Sequence, residues 1–215
     1  MAILGERERK FLRSKFGKAL RGEVRLLVFT QEFECEYCAE VRKLAQEVAE
    51  IDERIRAEVY DFQSDKELAE KLGVDKIPAL LVLGEREYGV RFFGIPSGYE
   101  FTTLVEDIID VSRGSSRLPE QVKEKVRKID QQVRIQVFVT PTCPYCPIAV
   151  RTAHQLAIEN EKIVSDMIEA LEFPHLASRY QVMAVPKIVI NDKVSFEGAV
   201  PEHVFVDYVL AAIEG

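Results

Sequence analysis

Glu34-Cys35-Glu36-Tyr37-Cys38 and Thr142-Cys143-Pro144-Tyr145-Cys146 are the two stretches of this 215-residue chain on which its fold can be read. Together they hold all four cysteines, as two Cys-x-x-Cys pairs with none left over. Cys35 and Cys143 stand 108 residues apart, and so do Cys38 and Cys146. Pro78 and Pro186 keep that offset, each lying 43 residues after the first cysteine of its pair. Around them, Lys76-Ile77-Pro78-Ala79-Leu80 answers Ala184-Val185-Pro186-Lys187-Ile188. Ahead of the pairs, Val28-Phe29-Thr30 answers Val137-Phe138-Val139 with one residue of slippage. The chain is two copies of one unit.

Both copies show the same order of elements. Residues 6–21 and 119–132 have the pattern of charged, amphipathic opening helices, the second begun by Pro119. Val24–Thr30 and Val133–Val139 are short β-branched runs, which predicts strands. From each cysteine pair to Ile51 and to Ile158 the spacing is helical, for example Val41, Leu44, Ala45 and Val48. Strands are expected near 57–62 and 163–167, then short helices over 66–72 and 176–180. Ala79–Leu83 with Tyr88–Phe93, and Lys187–Ile190 with Val194–Phe196, predict hairpins, the second turning at Asn191-Asp192. Closing helices are expected over 98–112 and 201–213. The polar, proline-ended stretch 112–119 reads as a linker.

A Cys-x-x-Cys at a strand-to-helix junction suits dithiol–disulfide exchange. The first sulfur meets the free amides and dipole of a helix N-terminus, which lower its pKa. The second, one helical turn on, can resolve a mixed disulfide. Proline after a β-branched residue can take a cis bond in a tight turn, so cis bonds are expected at Pro78 and Pro186. The first cysteines, Cys35 and Cys143, are the expected attacking thiols. Glu32, Glu34 and Glu36 surround Cys35, whereas no acid stands near Cys143. Nearby carboxylates disfavour a thiolate, so the N-terminal pair is expected to be the more reducing.

Strand, Cys-x-x-Cys, helix, strand, helix, Ile/Val-Pro, hairpin and helix resembles the thioredoxin superfamily in both halves. Cys143-Pro144-Tyr145-Cys146 is similar to the dithiol glutaredoxin site, as are Val185-Pro186, Phe196-Glu197-Gly198-Ala199 and Glu202 after it. Tandem copies of this length, with Cys35-Glu36-Tyr37-Cys38 first, resemble the protein disulfide oxidoreductases of hyperthermophilic archaea and some bacteria. The resemblance covers nearly the whole chain. It implies an α/β fold of two tandem thioredoxin-like domains, residues 1–117 and 118–215, each a central mixed β-sheet flanked by helices. It implies a redox role for Cys35, Cys38, Cys143 and Cys146. It also implies a backbone surface for extended substrates at Ile77-Pro78 and Val185-Pro186, with Tyr37 and Tyr145 beside it. Many thioredoxins carry a buried acid on the strand before the pair, but Val24–Phe29 and Val133–Phe138 offer none, which leaves the proton acceptor unassigned. Glutathione-binding glutaredoxins usually have Gly-Gly followed by Asp where this chain has Gly198-Ala199 and Glu202, which counts against glutathione.

The residues also exclude several classes. A net charge of −7 argues against nucleic acid or a membrane surface as partner. No apolar stretch reaches a membrane span, and no export signal is visible, so the cytoplasm is the expected compartment. Zinc sites place two Cys-x-x-Cys pairs about 15–20 residues apart, far closer than here, so no metal is expected. A purely structural disulfide across so short a loop constrains the unfolded chain little. His154, His175 and His203 share no motif. No phosphate loop or dinucleotide fingerprint is present, so no cofactor is expected and any flavin or nicotinamide belongs to a partner reductase. Three readings follow: a general oxidoreductase for protein thiols and disulfides, a dedicated electron carrier between a flavoprotein reductase and a peroxidase, and a metal-binding scaffold.

Overall fold

The β-branched runs Val24–Thr30 and Val133–Val139 are the strands β1 and β5, each at the heart of one copy. The structure, a computed structural model, describes residues 2–214. The first copy runs α1 (Glu6–Ala19), β1, α2 (Cys38–Ala49), β2 (Ile55–Asp61), α3 (Lys66–Lys71), β3 (Ala79–Leu83), β4 (Glu87–Phe93) and α4 (Glu100–Arg113). The second repeats that order as α5 (Glu120–Arg127), β5, α6 (Cys146–Glu159), β6 (Ile163–Glu169), α7 (Pro174–Arg179), β7 (Lys187–Ile190), β8 (Val194–Glu197) and α8 (Glu202–Ile213). Asn191 and Asp192 both take positive φ, 50° and 56°, and close the last hairpin as expected. Helix α5 stops five residues short of expectation. The Asn160 amide donates to the Val126 and Ile129 carbonyls at 2.7 and 2.8 Å and takes up the carbonyls at its end.

The two mixed sheets are joined into one. Its strand order is β2-β1-β3-β4-β6-β5-β7-β8, with β4 and β6 parallel at the seam. Pairing at the seam sets Val90 opposite Ser165, Arg91 opposite Asp166 and Phe92 opposite Met167. Gly89, at φ +67°, makes the approach possible: a Cβ there would meet the Ile163 carbonyl oxygen at 2.6 Å. The pairings make β1 and β5 parallel, so both cysteine pairs emerge at the same sheet edge. Four strand spacings separate β1 from β5, about 19 Å.

The main core lies under α1, α2, α4, α5, α6 and α8 and is continuous across the seam. A smaller core around Phe29, Phe93, Phe138 and Phe173 fills the other face, with α3 and α7. Each face also carries a buried polar clamp. On one, Asp166 is fully buried and accepts from Arg91 at 2.6 Å and from Arg134 at 2.8 Å, so one guanidinium from each copy serves its two oxygens. Arg91 also donates to the Leu72 and Gly73 carbonyls at 3.1 Å. On the helical face, Asp107 of α4 pairs with Arg151 and His154 of α6, and Asp110 pairs with Arg151 again.

The connector between the copies is held in place by side-chain contacts. Ser112 and Arg113 belong to α4, and the Ser116 N–H and hydroxyl donate to Glu159 at 2.8 and 2.7 Å. Among the described residues no helix is long and apolar enough to cross a membrane.

Breaking a buried charge pair from one side strands the other charge and typically costs about 3–5 kcal/mol. Asp166 keeps Arg134 when Arg91→Ala removes the other guanidinium, so the loss in chemical denaturation should reach at most the lower end of that range, about 3 kcal/mol, while Arg91→Met with Asp166→Leu, which leaves Arg134 its pairing with Asp75, should recover most of it. A cost for Arg91→Ala below about 1 kcal/mol would mean that the seam does not depend on this pair.

Candidate active site

Cys143 and Cys146 form a disulfide with Cα atoms 5.5 Å apart, at the start of α6. Cys146 is wholly buried and Cys143 nearly so. The Cys146 N–H, a free donor of the first helical turn, points at the Cys143 sulfur at 3.1 Å. That donor favours a thiolate on Cys143 when the pair is reduced. Val185-Pro186 is cis, and the Val185 carbonyl oxygen lies 3.7 Å from the Cys143 sulfur. Tyr145 stands out into solvent beside the pair, while Pro186 is buried.

Cys35 and Cys38 form the matching disulfide, again with Cα atoms 5.5 Å apart. Cys38 is buried at the start of α2, and its sulfur accepts from the Gln31 N–H at 3.4 Å. Cys35 is half-exposed, so the first cysteine is the more accessible in both pairs. Ile77-Pro78 is cis and leads into β3 beside β1, at the edge from which Cys35 emerges. Tyr37 is half-exposed, and its hydroxyl is pushed above the usual range by Glu36, by burial and by Glu172. The strands that deliver the pairs lie about 19 Å apart, so the four sulfurs cannot share one metal ion.

Two acids missed in the sequence reading belong to this edge. Glu100 opens α4 and is buried, with neither carboxylate oxygen hydrogen-bonded to another described residue. Helix α4 runs alongside α6 in the same direction, as the Tyr99–Pro141, Asp107–His154 and Ser116–Glu159 contacts show from start to end. Its first turn therefore lies beside the first turn of α6, which carries Cys146. The Tyr99 N–H donates to the Pro141 carbonyl at 3.3 Å, tying the two starts together. Gly98, at φ +60°, faces that same carbonyl, and a Cβ there would collide with it. Burial raises the Glu100 carboxyl to about 7; Thr103 opposes it and the charge of Asp107 adds to it by less.

The second acid, Glu172, follows β6 but turns toward the first copy. Its Oε1 accepts from the Ile95 N–H at 2.8 Å. Burial, together with Glu169, Glu36 and Glu40, raises it to about 7 against that hydrogen bond. The N-terminal pair thus stands in a field of carboxylates that reaches across the seam.

Both copies match the family described as thioredoxin domain, over residues 24–106 and 133–211. The structure is similar to that of a protein disulfide oxidoreductase from Aeropyrum pernix K1, with a TM-score of 0.92 and 34% identity over 100% of this chain and 96% of that one. Among curated proteins it is similar to the NADH dehydrogenase of Bacillus subtilis, 31% identical over 130 residues, 60% of this chain and 25% of that one. It is 32% identical to an alkyl hydroperoxide reductase component from Pseudomonas aeruginosa over 112 residues, 52% of this chain and 22% of that one. The chain spans about a quarter of the length of these curated relatives.

The buried acids predict a pH dependence. Unfolded, Glu100 releases its proton near the ordinary value of 4.5; folded, it holds it to about 7. Folding thus takes up a proton in that window, so the stability linked to this group is full below about pH 4.5 and is lost as the pH rises through 7. Glu172 acts in the same direction. Thermal unfolding between pH 5 and 8 should show falling stability, and Glu100→Gln should flatten the curve by up to about 3 kcal/mol. An unchanged slope would place the proton elsewhere.

Proposed function

The chain belongs to the thioredoxin-domain family, and on that premise we propose that it is a dithiol–disulfide oxidoreductase acting on protein disulfides at two Cys-x-x-Cys sites. The observation that carries this is the repeated one: in each copy a cysteine pair closes a disulfide at a helix N-terminus, on the same edge as an Ile/Val-Pro step.

At the C-terminal site the Cys143 thiolate attacks a client disulfide. A Cys143–client S–S bond forms, the client S–S bond breaks, and the leaving sulfur takes up a proton. Cys146, deprotonated by Glu100, then attacks the Cys143 sulfur. The intramolecular disulfide closes, the second client thiol leaves, and two electrons have passed from the site to the client. Cys35 and Cys38 act likewise at the N-terminal site. The backbone at Ile77-Pro78 and Val185-Pro186 receives an extended client segment, with Tyr37 and Tyr145 at its border. Run backward, the same steps make disulfides.

The two curated relatives, named as an NADH dehydrogenase and part of an alkyl hydroperoxide reductase, favour a flavin-dependent reductase as electron donor. They also support a second reading, a dedicated carrier from such a reductase to one peroxidase. The cytoplasm suits both, because two reducible pairs can cycle only where a donor keeps them supplied with electrons.

Turnover of an insulin-like disulfide substrate tests the main reading. The wild type should reduce it with dithiothreitol as donor, and Cys146→Ser should accumulate mixed disulfides through Cys143. Glu100→Gln should slow closure of the Cys143–Cys146 disulfide by at least about tenfold at pH 7. Alkylation that labels Cys146 ahead of Cys143 would reverse the assigned roles, and activity confined to one peroxidase would select the carrier reading.

A further inference from the structure

The repeat allows the borders of the two sites to be compared position by position at the offset of 108. Thr142, Pro144 and Ile148 around the C-terminal pair answer Glu34, Glu36 and Glu40 around the N-terminal pair. Each uncharged residue in one copy is an acid in the other. The difference extends along the chain: residues 135–150 carry no charge, whereas 32–40 carry four glutamates and no Lys or Arg. In space it grows further. Tyr145, Ile148 and Met183 (two residues ahead of Val185) are 64%, 52% and 89% exposed, three large side chains on the border of one cysteine pair. Around the other pair Glu36 and Glu40 are exposed and are joined by Glu169 and Glu172 from the opposite copy.

Glu169 makes the acidic border more than a run of surface charge. It is 3% exposed, its Oε1 has no hydrogen-bond partner among the described residues, and its charge acts on Glu172 and on the Tyr37 hydroxyl. Its Oε2 accepts from the Glu172 N–H at 2.7 Å, which holds both acids in one turn. Phe33, 79% exposed in the same border, offers a ring on which a cationic side chain can stack.

Building on the oxidoreductase reading, we infer that the two sites select different clients: the N-terminal site takes segments with Lys or Arg beside the target cysteine, and the C-terminal site takes segments with large apolar residues there. Opposite charge at the N-terminal border speeds encounter and stabilises the mixed disulfide with a basic segment. The apolar border has no such preference and gains by removing apolar client surface from water.

Two disulfide-linked peptides of equal length, one with Lys and one with Leu flanking the cysteines, provide the test on the full chain. The double variant Cys143→Ser/Cys146→Ser reports the N-terminal site, and Cys35→Ser/Cys38→Ser the C-terminal site, both with dithiothreitol as donor. At low salt the N-terminal site should favour the Lys peptide by about tenfold in kcat/KM, and the preference should shrink as salt is raised. Adding Glu36→Gln and Glu40→Gln should remove most of it. The C-terminal site should favour the Leu peptide at every salt concentration. Equal peptide ratios at the two sites, or an N-terminal site that turns over neither peptide while the C-terminal site works, would overturn the inference alone. No turnover of either peptide by either variant would overturn the redox reading and the inference with it.

Discussion

The parallel pairing of β4 with β6 is the constraint on which the rest of this molecule depends. It converts two small sheets into one of eight strands and fixes β1 and β5 in the same direction. Only because of that direction do both cysteine pairs open at one edge. Parallel pairing is slightly weaker than antiparallel pairing and needs cover on both faces. The cover is present: continuous apolar core under the helices, and Arg91, Asp166 and Arg134 on the opposite side. Register follows from the same groups, since Arg91 and Asp166 stand directly opposite each other in the pairing. A slip of one residue would bury an unpaired charge.

Joining the copies also brings an acid of each to the cysteine border of the other. Glu100 belongs to the first copy but lies beside the first turn of α6 in the second, where an acid was wanted and the preceding strand supplies none. Glu172 belongs to the second copy but is raised in part by Glu36 and Glu40 of the first, and in turn helps to raise the Tyr37 hydroxyl. The two exchanges are not equivalent. One places a single buried carboxyl, raised to about 7, beside a stretch, 135–150, that carries no charge; the other adds to a cluster of carboxylates. Duplicated units thereby reach different electrostatic surroundings while the Cα atoms of both cysteine pairs stay 5.5 Å apart.

How far the sequence could be read follows from how local each feature is. β1, β5, β3 and β7 begin and end where their apolar runs do, because a central strand is covered on both faces and reads as one nearly continuous apolar run. The prolines were legible from their matched spacing, and so was the Asn191-Asp192 turn. The seam was not, because the pairing of two edges is written in no single stretch. A signal did exist: Tyr88–Phe93 is buried on both faces, as a central strand is and an edge strand is not. Glu100 and Glu172 were hidden for a related reason. Each reads as an ordinary acid at a helix start or loop of its own copy, and contacts beside it come from the other copy: Tyr99 with Pro141 next to Glu100, and the Ile95 N–H on Glu172. Arg91, a lone charge in an apolar run, was the one local hint that something lay across from β4.

The central claim is that both pairs are reversible redox centres made unequal by the carboxylates around the first. Redox titration of each pair against a thiol buffer, with the other pair changed to Ser, tests it most directly. Glutaredoxin-type sites titrate near about −200 to −230 mV, and Cys143–Cys146 should fall in that range. Cys35–Cys38 should also titrate reversibly as a two-electron couple, but at a more negative potential, because its thiolate is disfavoured by Glu34, Glu36, Glu40 and Glu172. Equal potentials, a more oxidising N-terminal pair, or a pair that does not titrate at all would contradict the account.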